Sequence, residues 1–289
     1  MHIKLKSMNQ CFFVSDLHGQ TLRYEALFSK IKEEKPGAVF LGGDLLPSFG
    51  SKSVRNFLDD YLFQEFIALK KHLGSNYPRV FLILGNDDGK SQEEDLIRYM
   101  IQDKIWEYIH YKSAQFGPHN IFGYAYVPPT PFLNKDWERY DISRFTDPGC
   151  VAPEEGWHSV EQPINIIQHA TIKKDLNDLI GDMDLSKSIF LFHTPPYQSK
   201  LDRAALDGKM FDHVPLDVHV GSIAVKDLIL ERQPLLTLHG HVHESARLTG
   251  SWKEQFGKTT SLSAAHDGPE LALVRFDLKC PREASRELC

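Results

Sequence analysis

Thr237-Leu238-His239-Gly240-His241-Val242-His243 follows the apolar run Pro234-Leu235-Leu236 and sets three histidines at alternating positions. In an extended segment, residues two apart share a side, so alternate imidazoles crowd the end of a strand. Imidazole is a common neutral nitrogen ligand for Zn, Fe, Mn and related ions, and Gly240 leaves the backbone free to turn before two of the rings. Alone, the triplet divides about evenly between a metal site and a polar hairpin. The choice turns on whether ligand-type residues also end other strands.

Four further apolar runs end that way. Cys11-Phe12-Phe13-Val14 is closed by Ser15-Asp16-Leu17-His18-Gly19, and Ala38-Val39-Phe40-Leu41 by Gly42-Gly43-Asp44. Val80-Phe81-Leu82-Ile83-Leu84 is closed by Gly85-Asn86-Asp87-Asp88, and Ile189-Phe190-Leu191-Phe192 by His193. The carboxyl ends of strands are where open α/β sheets bind ligands. One such ending could be a solvated turn; five in one chain argue for a shared site.

The ordered set Asp16-x-His18, Gly43-Asp44, Gly85-Asn86, His193 and Gly240-His241-x-His243 resembles the calcineurin-like metallophosphoesterases, including the small Icc-type phosphoesterases. The resemblance implies an α/β fold, a four-layer αββα sandwich of two mixed β-sheets flanked by helices, with metals at one edge where strand ends converge. Carried over residue by residue, it implies one ion held by Asp16, His18, Asp44 and His243, and a second held by Asp44, Asn86, His193 and His241, with Asp44 shared. Mixed nitrogen and oxygen donors suit Mn, Fe, Zn or Co rather than Mg or Ca. A shared carboxylate offsets the repulsion of two cations about 3.5–4 Å apart. The implied reaction is hydrolysis of phosphomonoesters or phosphodiesters of small molecules or nucleotides, by attack of a metal-bound hydroxide and without a covalent intermediate. The Gly-Asp-x-Val-Asp-Arg-Gly segment of the Ser/Thr protein phosphatases is absent, because Asp44 is followed by Leu45-Leu46-Pro47-Ser48.

One position departs from the pattern. The family usually reads Gly-Asn-His-Asp/Glu after the third strand, and its histidine contacts phosphate and helps to protonate the leaving group. Here Gly85-Asn86-Asp87-Asp88 puts Asp87 in the histidine's place and Asp88 in that of its orienting carboxylate. An ionised Asp87 would repel a phosphate, and three routes stay open. Asp87 could act as an acid if Asp88 raised its pKa, although nearby cations oppose that shift. His219, His239 or His266 could supply the proton instead, or the leaving group could depart without one. His219 is the candidate that introduces a helix, whose N-terminal amides favour anions, and it joins Asp87 and Asp88 as an expected catalytic residue. His239 reads as a strand-end residue supporting the ligands. Arg23, Arg203 and Arg247 are candidate phosphate contacts. The same departure motivates a second function, a metal-binding scaffold that keeps the fold, turns over little or nothing and acts through a protein partner.

A chain of 289 residues, 42% hydrophobic, can bury a large core without a compositional break, so a single domain over 1–289 is expected. Its Pro- and aromatic-rich stretch at about 115–163 reads as an ordered insertion beside the second sheet. With 33 basic against 39 acidic residues the net charge is −6. That disfavours a broad nucleic-acid-binding surface or an anionic-membrane partner. No apolar stretch reads as a secretory signal or membrane span, and Cys11, Cys150, Cys280 and Cys289 show no CxxC spacing, so a cytoplasmic location is expected. Apolar spacing predicts helices over Gln20–Lys35, Ser53–His72, Glu93–Ile101, Thr171–Ile180 and Ile223–Arg232, a strand over Leu271–Leu278 and a frayed tail after Pro281.

Overall fold

A strand covered on both faces reads as an unbroken apolar run, and such runs build the centre of each sheet. The computed structural model describes residues 10–48 and 57–289. In chain order, β1 (Gln10–Val14) is followed by α1 (Thr21–Glu34), β2 (Ala38–Gly42), a π-helical stretch (Phe57–Leu62) that runs into α2 (Phe63–Leu73), and β3 (Arg79–Ile83). Next come α3 (Glu93–Asp103), β4 (Glu107–Tyr108), β5 (Lys112–Phe116) and β6 (His119–Tyr124). After a long irregular segment come α4 (Ile164–His169), α5 (Ile172–Ile180), β7 (Ser188–Phe192), and a small hairpin of β8 (Met210–Phe211) and β9 (Val214–Pro215). The chain closes with α6 (Ile223–Arg232), β10 (Leu236–His239), α7 (Ser245–Thr249), β11 (Lys253–Phe256), β12 (Thr259–Ser263), β13 (Ala272–Asp277) and β14 (Ser285–Leu288).

Two six-stranded mixed sheets result, ordered β14-β13-β1-β2-β3-β4 and β11-β12-β10-β7-β6-β5. In the first, β1 to β4 run parallel and β13 and β14 run antiparallel to their neighbours. In the second, β12, β10, β7 and β6 are parallel, with β11 and β5 antiparallel at the edges. The sheets meet face to face through β2 and β3 against β6 and β7. Side chains on these strands, including Phe40, Phe81, Phe122 and Phe190, have no exposed surface or almost none. Helices α1 and α2 pack together on one side, α5 and α6 on the other, giving the expected four-layer α/β sandwich. Among the described residues no helix is long and apolar enough to cross a membrane.

Most elements fall where the spacing predicts them. Residues 53–56 of the long helix expected over Ser53–His72 lie outside the described residues, as do Phe49, Gly50 and Ser51 of the preceding loop and the N-terminal residues through Asn9. The tail after Pro281 is not frayed: β14 pairs with β13, and the backbones of Leu271 and Cys289 bond to each other in both directions. Charged side chains fix this edge, Glu287 pairing with Lys30 and Arg275. A short, half-exposed edge strand carries no apolar run to betray it.

Within the stretch read as an insertion, residues 119–124 form the inner strand β6. Residues 125–163 wrap the rim of the strand ends. Asn134 donates its Nδ2 to the Asn86 carbonyl at 3.2 Å. The fully buried Asp136 accepts from the backbone N–H groups of Lys90 and Ser159 at 2.8 and 2.7 Å. Asp141 accepts from the N–H groups of Ile223 and Ala224 and from the hydroxyl of Ser222, closing the N-terminus of α6. The segment is anchored inside by Lys135 and Glu138, which pair with side chains 0% exposed and bond the backbone of Thr130. Burial pushes the Glu138 carboxyl up to about 7 even beside Lys135. Removing one partner of a buried pair leaves the other charge stranded, at roughly 3–5 kcal/mol. Lys135→Met is therefore expected to lose stability of that order in urea unfolding at pH 8 and less at pH 5, where Glu138 takes up a proton. An equal loss at both pH values contradicts the pairing.

Candidate metal centre

The two sheets bring their donor-bearing strand ends to one edge. Past β1 and β2 the backbones stay zipped: Asp16, His18 and Gly19 donate N–H bonds of 2.8 to 3.0 Å to the carbonyls of Gly43, Asp44 and Leu45. To do so and still turn their side chains to a common point, Asp16, His18 and Asp44 adopt left-handed backbone at φ of 58°, 46° and 51°, as does His241 at 73°. For L-residues this costs on the order of 1–2 kcal/mol each and is characteristic of ligand and active sites. Gly240, expected to supply a turn, instead supplies room: a Cβ there would collide with Ser15 Oγ and Asp16 Oδ2. One at Gly85 would run into the Asp44 carboxylate and the His193 ring.

Asp16, His18, Asp44 and His243 each offer one ligand atom, and the four atoms all lie within 4.8 Å of one another. His243 Nε2 is 3.3 Å from Asp16 Oδ1 and 3.2 Å from His18 Nε2. Asp16 Oδ2 is buried without a hydrogen-bond partner. An unpaired anionic oxygen in a dry place is costly, and a cation among these donors would satisfy it. The residues present thus fit a metal ion.

The second set of donors adjoins the first through Asp44. Its Oδ2 lies 3.9 Å from His18 Nε2 and 3.3 Å from His193 Nε2, while its Oδ1 accepts the Asp87 N–H at 2.8 Å. His193 Nε2 is 3.0 Å from Asn86 Oδ1, and the His241 ring centroid is 5.2 Å from that of His193. His193 Nδ1 meets the Gly42 carbonyl at 2.8 Å. A carbonyl only accepts, so Nδ1 carries the proton and directs Nε2 at Asp44 and Asn86.

Charge balance binds the cluster together. Burial alone would raise the Asp16 carboxyl, but the hydrogen bond and charge of His243 outweigh it and hold the group at about 2. His193 and His18 hold Asp44 well below the usual carboxylate range against its own burial. Burial lowers His18 and His193, yet Asp87, Asp44 and Asp16 lift His18, and Asp44 lifts His193, each to about 9. His241 is pushed down to about 3 by burial and then by His193. The cluster opens to solvent on one side, where the side chains of His243 and Asp87 are each 34% exposed.

The expected catalytic residues take different positions. Asp87 stands beside the cluster, its Oδ2 3.2 Å from His18 Nδ1 and accepting from Ser48 Oγ at 2.8 Å. Asp88 is fully buried and faces backbone rather than Asp87, accepting from the N–H groups of Leu45, Leu46 and Gly85 at 3.1, 2.8 and 2.9 Å. Burial and then Asp44 push its carboxyl up to about 7. His219 binds Asp202 Oδ1 through Nδ1 at 2.8 Å and stands edge-on to Tyr197. The anion-favouring helix start expected beside it is filled by the Asp141 carboxylate. His239 is held in the core by the Thr194 carbonyl and the Thr237 hydroxyl, and burial brings it down to about 4. His266 pairs with Glu270. The three candidate arginines are already engaged: Arg23 with the carbonyls of Asp16, Gly268 and Pro269, Arg203 with Asp207, and Arg247 with Asp267. Sequence reasoning missed Ser48 and Asn134, which reach the site from loops with no residue pattern of their own.

The sequence model described as calcineurin-like phosphoesterase matches residues 11–245. No curated protein matches the chain. Solved structures do match: one crystal structure at 15% identity has a TM-score of 0.62 and covers 97% of this chain and 98% of its own. The crystal structure of TT1561 of Thermus thermophilus is 18% identical, with a TM-score of 0.56 and coverage of 97% and 98%. At such identities these likenesses bear on the fold alone.

In the metal-free protein, His18 and His193 have folded pKa values of about 9 against the ordinary 6.5. Their stabilisation is complete below pH 6.5. It is lost as pH rises from there towards 9, at a rate of at most ~1.4 kcal/mol per pH unit for each histidine. Urea unfolding in the presence of a chelator is expected to give lower stability at pH 9.5 than at pH 6.5. Equal or greater stability at pH 9.5 contradicts the arrangement.

Proposed function

The chain belongs to the calcineurin-like phosphoesterases, a family of metal-dependent phosphoesterases, and on that premise we propose that it is a dinuclear hydrolase of phosphomonoesters or phosphodiesters carried by small molecules or nucleotides. The observation that carries the reading is the unpartnered, buried Asp16 Oδ2 beside three further donors. In this reading Asp16, His18, Asp44 and His243 hold one ion, and Asp44, Asn86, His193 and His241 the other. The donor chemistry suits Mn, Fe, Zn or Co. When bound, such a pair supplies Lewis acidity that activates water and offsets phosphoryl charge.

The chain's own residues do the rest. Asp44 presents Oδ2 to both histidine sets while the Asp87 N–H fixes its other oxygen, which keeps the two halves in one register. Gly42 orients His193, and Asp88 ties the β2 and β3 loops together through three backbone N–H groups. Substrate enters from the side where His243 and Asp87 meet solvent. We take the protein to work as one domain in the cytoplasm.

The carboxylate of Asp87, set where an anionic phosphate would approach, favours the second reading of a metal-binding scaffold acting through a protein partner. Turnover of bis-p-nitrophenyl phosphate with Mn, Fe and Zn separates the two. Hydrolysis is expected with at least one metal, and Asp44→Asn is expected to reduce it at least a thousandfold, on the order expected when both ions lose a ligand. Two bound metals with no turnover of any ester would establish the scaffold. An Asp44→Asn protein with two metals and near-normal turnover would remove the shared-ligand assignment.

A further inference from the structure

The histidines that present Nε2 to Asp44 are anchored at their far nitrogens in two different ways. His193 Nδ1 is held by the Gly42 carbonyl, part of the β2 backbone. His18 Nδ1 is held by a side chain, Asp87 Oδ2, at 3.2 Å. We infer that Asp87 is a positioning residue for His18, fixing the nitrogen that His18 offers to the metal, and that it is not the proton donor to the leaving group. The inference rests on the hydrolase reading for its consequence in catalysis and on the metal site alone for its first part.

Three contacts make the assignment. Asp87 is fixed at its backbone, where its N–H donates to Asp44 Oδ1 at 2.8 Å. At its side chain, a single oxygen faces two groups, His18 Nδ1 and the Ser48 hydroxyl, at 3.2 and 2.8 Å. With Oδ2 placed to accept from both groups, the contact sets the His18 proton at Nδ1 and leaves Nε2 to point at Asp44 and His243. A carboxylate behind a metal-ligating histidine fixes ring orientation and tautomer and raises ligand basicity. A general acid needs its proton-bearing oxygen turned to the substrate, whereas Asp87 Oδ2 is turned to His18 Nδ1 and the Ser48 hydroxyl.

The substrate class follows from the same contacts. In the hydrolysis a bond forms from the water oxygen to phosphorus as the one between phosphorus and the leaving oxygen breaks, and with Asp87 Oδ2 committed to His18 the electron pair stays on the leaving oxygen without a proton from residue 87. Leaving groups stable as anions, an aryl oxide or a phosphate in an anhydride, suit such a site better than a simple alkoxide.

Mn2+ titration of the metal-free full-length chain by calorimetry, with aryl phosphate kinetics at saturating Mn2+, tests this. Asp87→Ala is expected to weaken Mn2+ binding at one of two sites about ten- to a hundredfold, and Asp87→Asn by less, because its amide oxygen still accepts a hydrogen bond. In a His18→Ala background, Asp87→Ala should add nothing. Across aryl phosphates of graded leaving-group pKa, the slope of log kcat/KM should be the same in wild type and Asp87→Asn. Unchanged Mn2+ affinity in both variants, an additive loss in the His18→Ala background, or a steeper slope in Asp87→Asn overturns the assignment. A wild-type chain that binds no Mn2+ overturns it together with the metal site. One that binds Mn2+ but hydrolyses no ester ends the hydrolase reading, while the affinity comparison still decides the role of Asp87.

Discussion

The charge of Asp44, placed between imidazoles from two different sheets, is the constraint around which the site is arranged. Its Oδ2 stands 3.9 Å from His18, on the loop after β1, and 3.3 Å from His193, on the end of β7. Neither partner set would be tolerable alone. A buried imidazole without a counter-charge is driven neutral, as His239 is, and a buried carboxylate without one is driven towards protonation, as Asp88 is. Each group is kept in its charged form by the other, and the edge where the sheets converge is the place where both are available.

The rest of the fold serves that juxtaposition. Apolar strands buried on both faces set the two sheets together, β2 and β3 on one side against β6 and β7 on the other. Left-handed backbone at Asp16, His18, Asp44 and His241 is the local cost. It is offset by N–H bonds that carry the pairing of β1 and β2 beyond their ends. Asp88 and the segment over residues 125–163 then hold the loops from outside, through Leu45, Leu46, Gly85, Asn86 and Lys90.

Much of this was legible in the sequence for a simple reason: a strand buried on both faces and ended by a donor is a local pattern. The runs ending at Asp16, Asp44, Asn86 and His193 and the histidine triplet needed no knowledge of pairing to be recognised; those four side chains meet His241 and His243, with Gly240 and Gly85 leaving room, while His239 turns into the core. What resisted reading depends on direction or on distance along the chain. Asp87 and Asp88 are neighbours that face opposite ways, one towards His18 and one into the backbone, and adjacency cannot reveal that. His219 looked like the head of an open helix start. That start is closed by Asp141, some 81 residues from Ser222 in sequence. Arg23 looked free for phosphate and instead binds the carbonyls of Asp16 and Pro269, far apart in the chain. The edge strand β14, held by ion pairs, has no apolar signature to read.

The central claim is that paired cations occupy the two sides of Asp44 Oδ2. An anomalous-difference map from a crystal soaked in Mn2+ tests it most directly. Two peaks are predicted, one bounded by Asp16, His18 and His243 and the other by Asn86, His193 and His241, with the Asp44 carboxylate between them. A single peak, no peak, or peaks away from Asp44 would contradict the account.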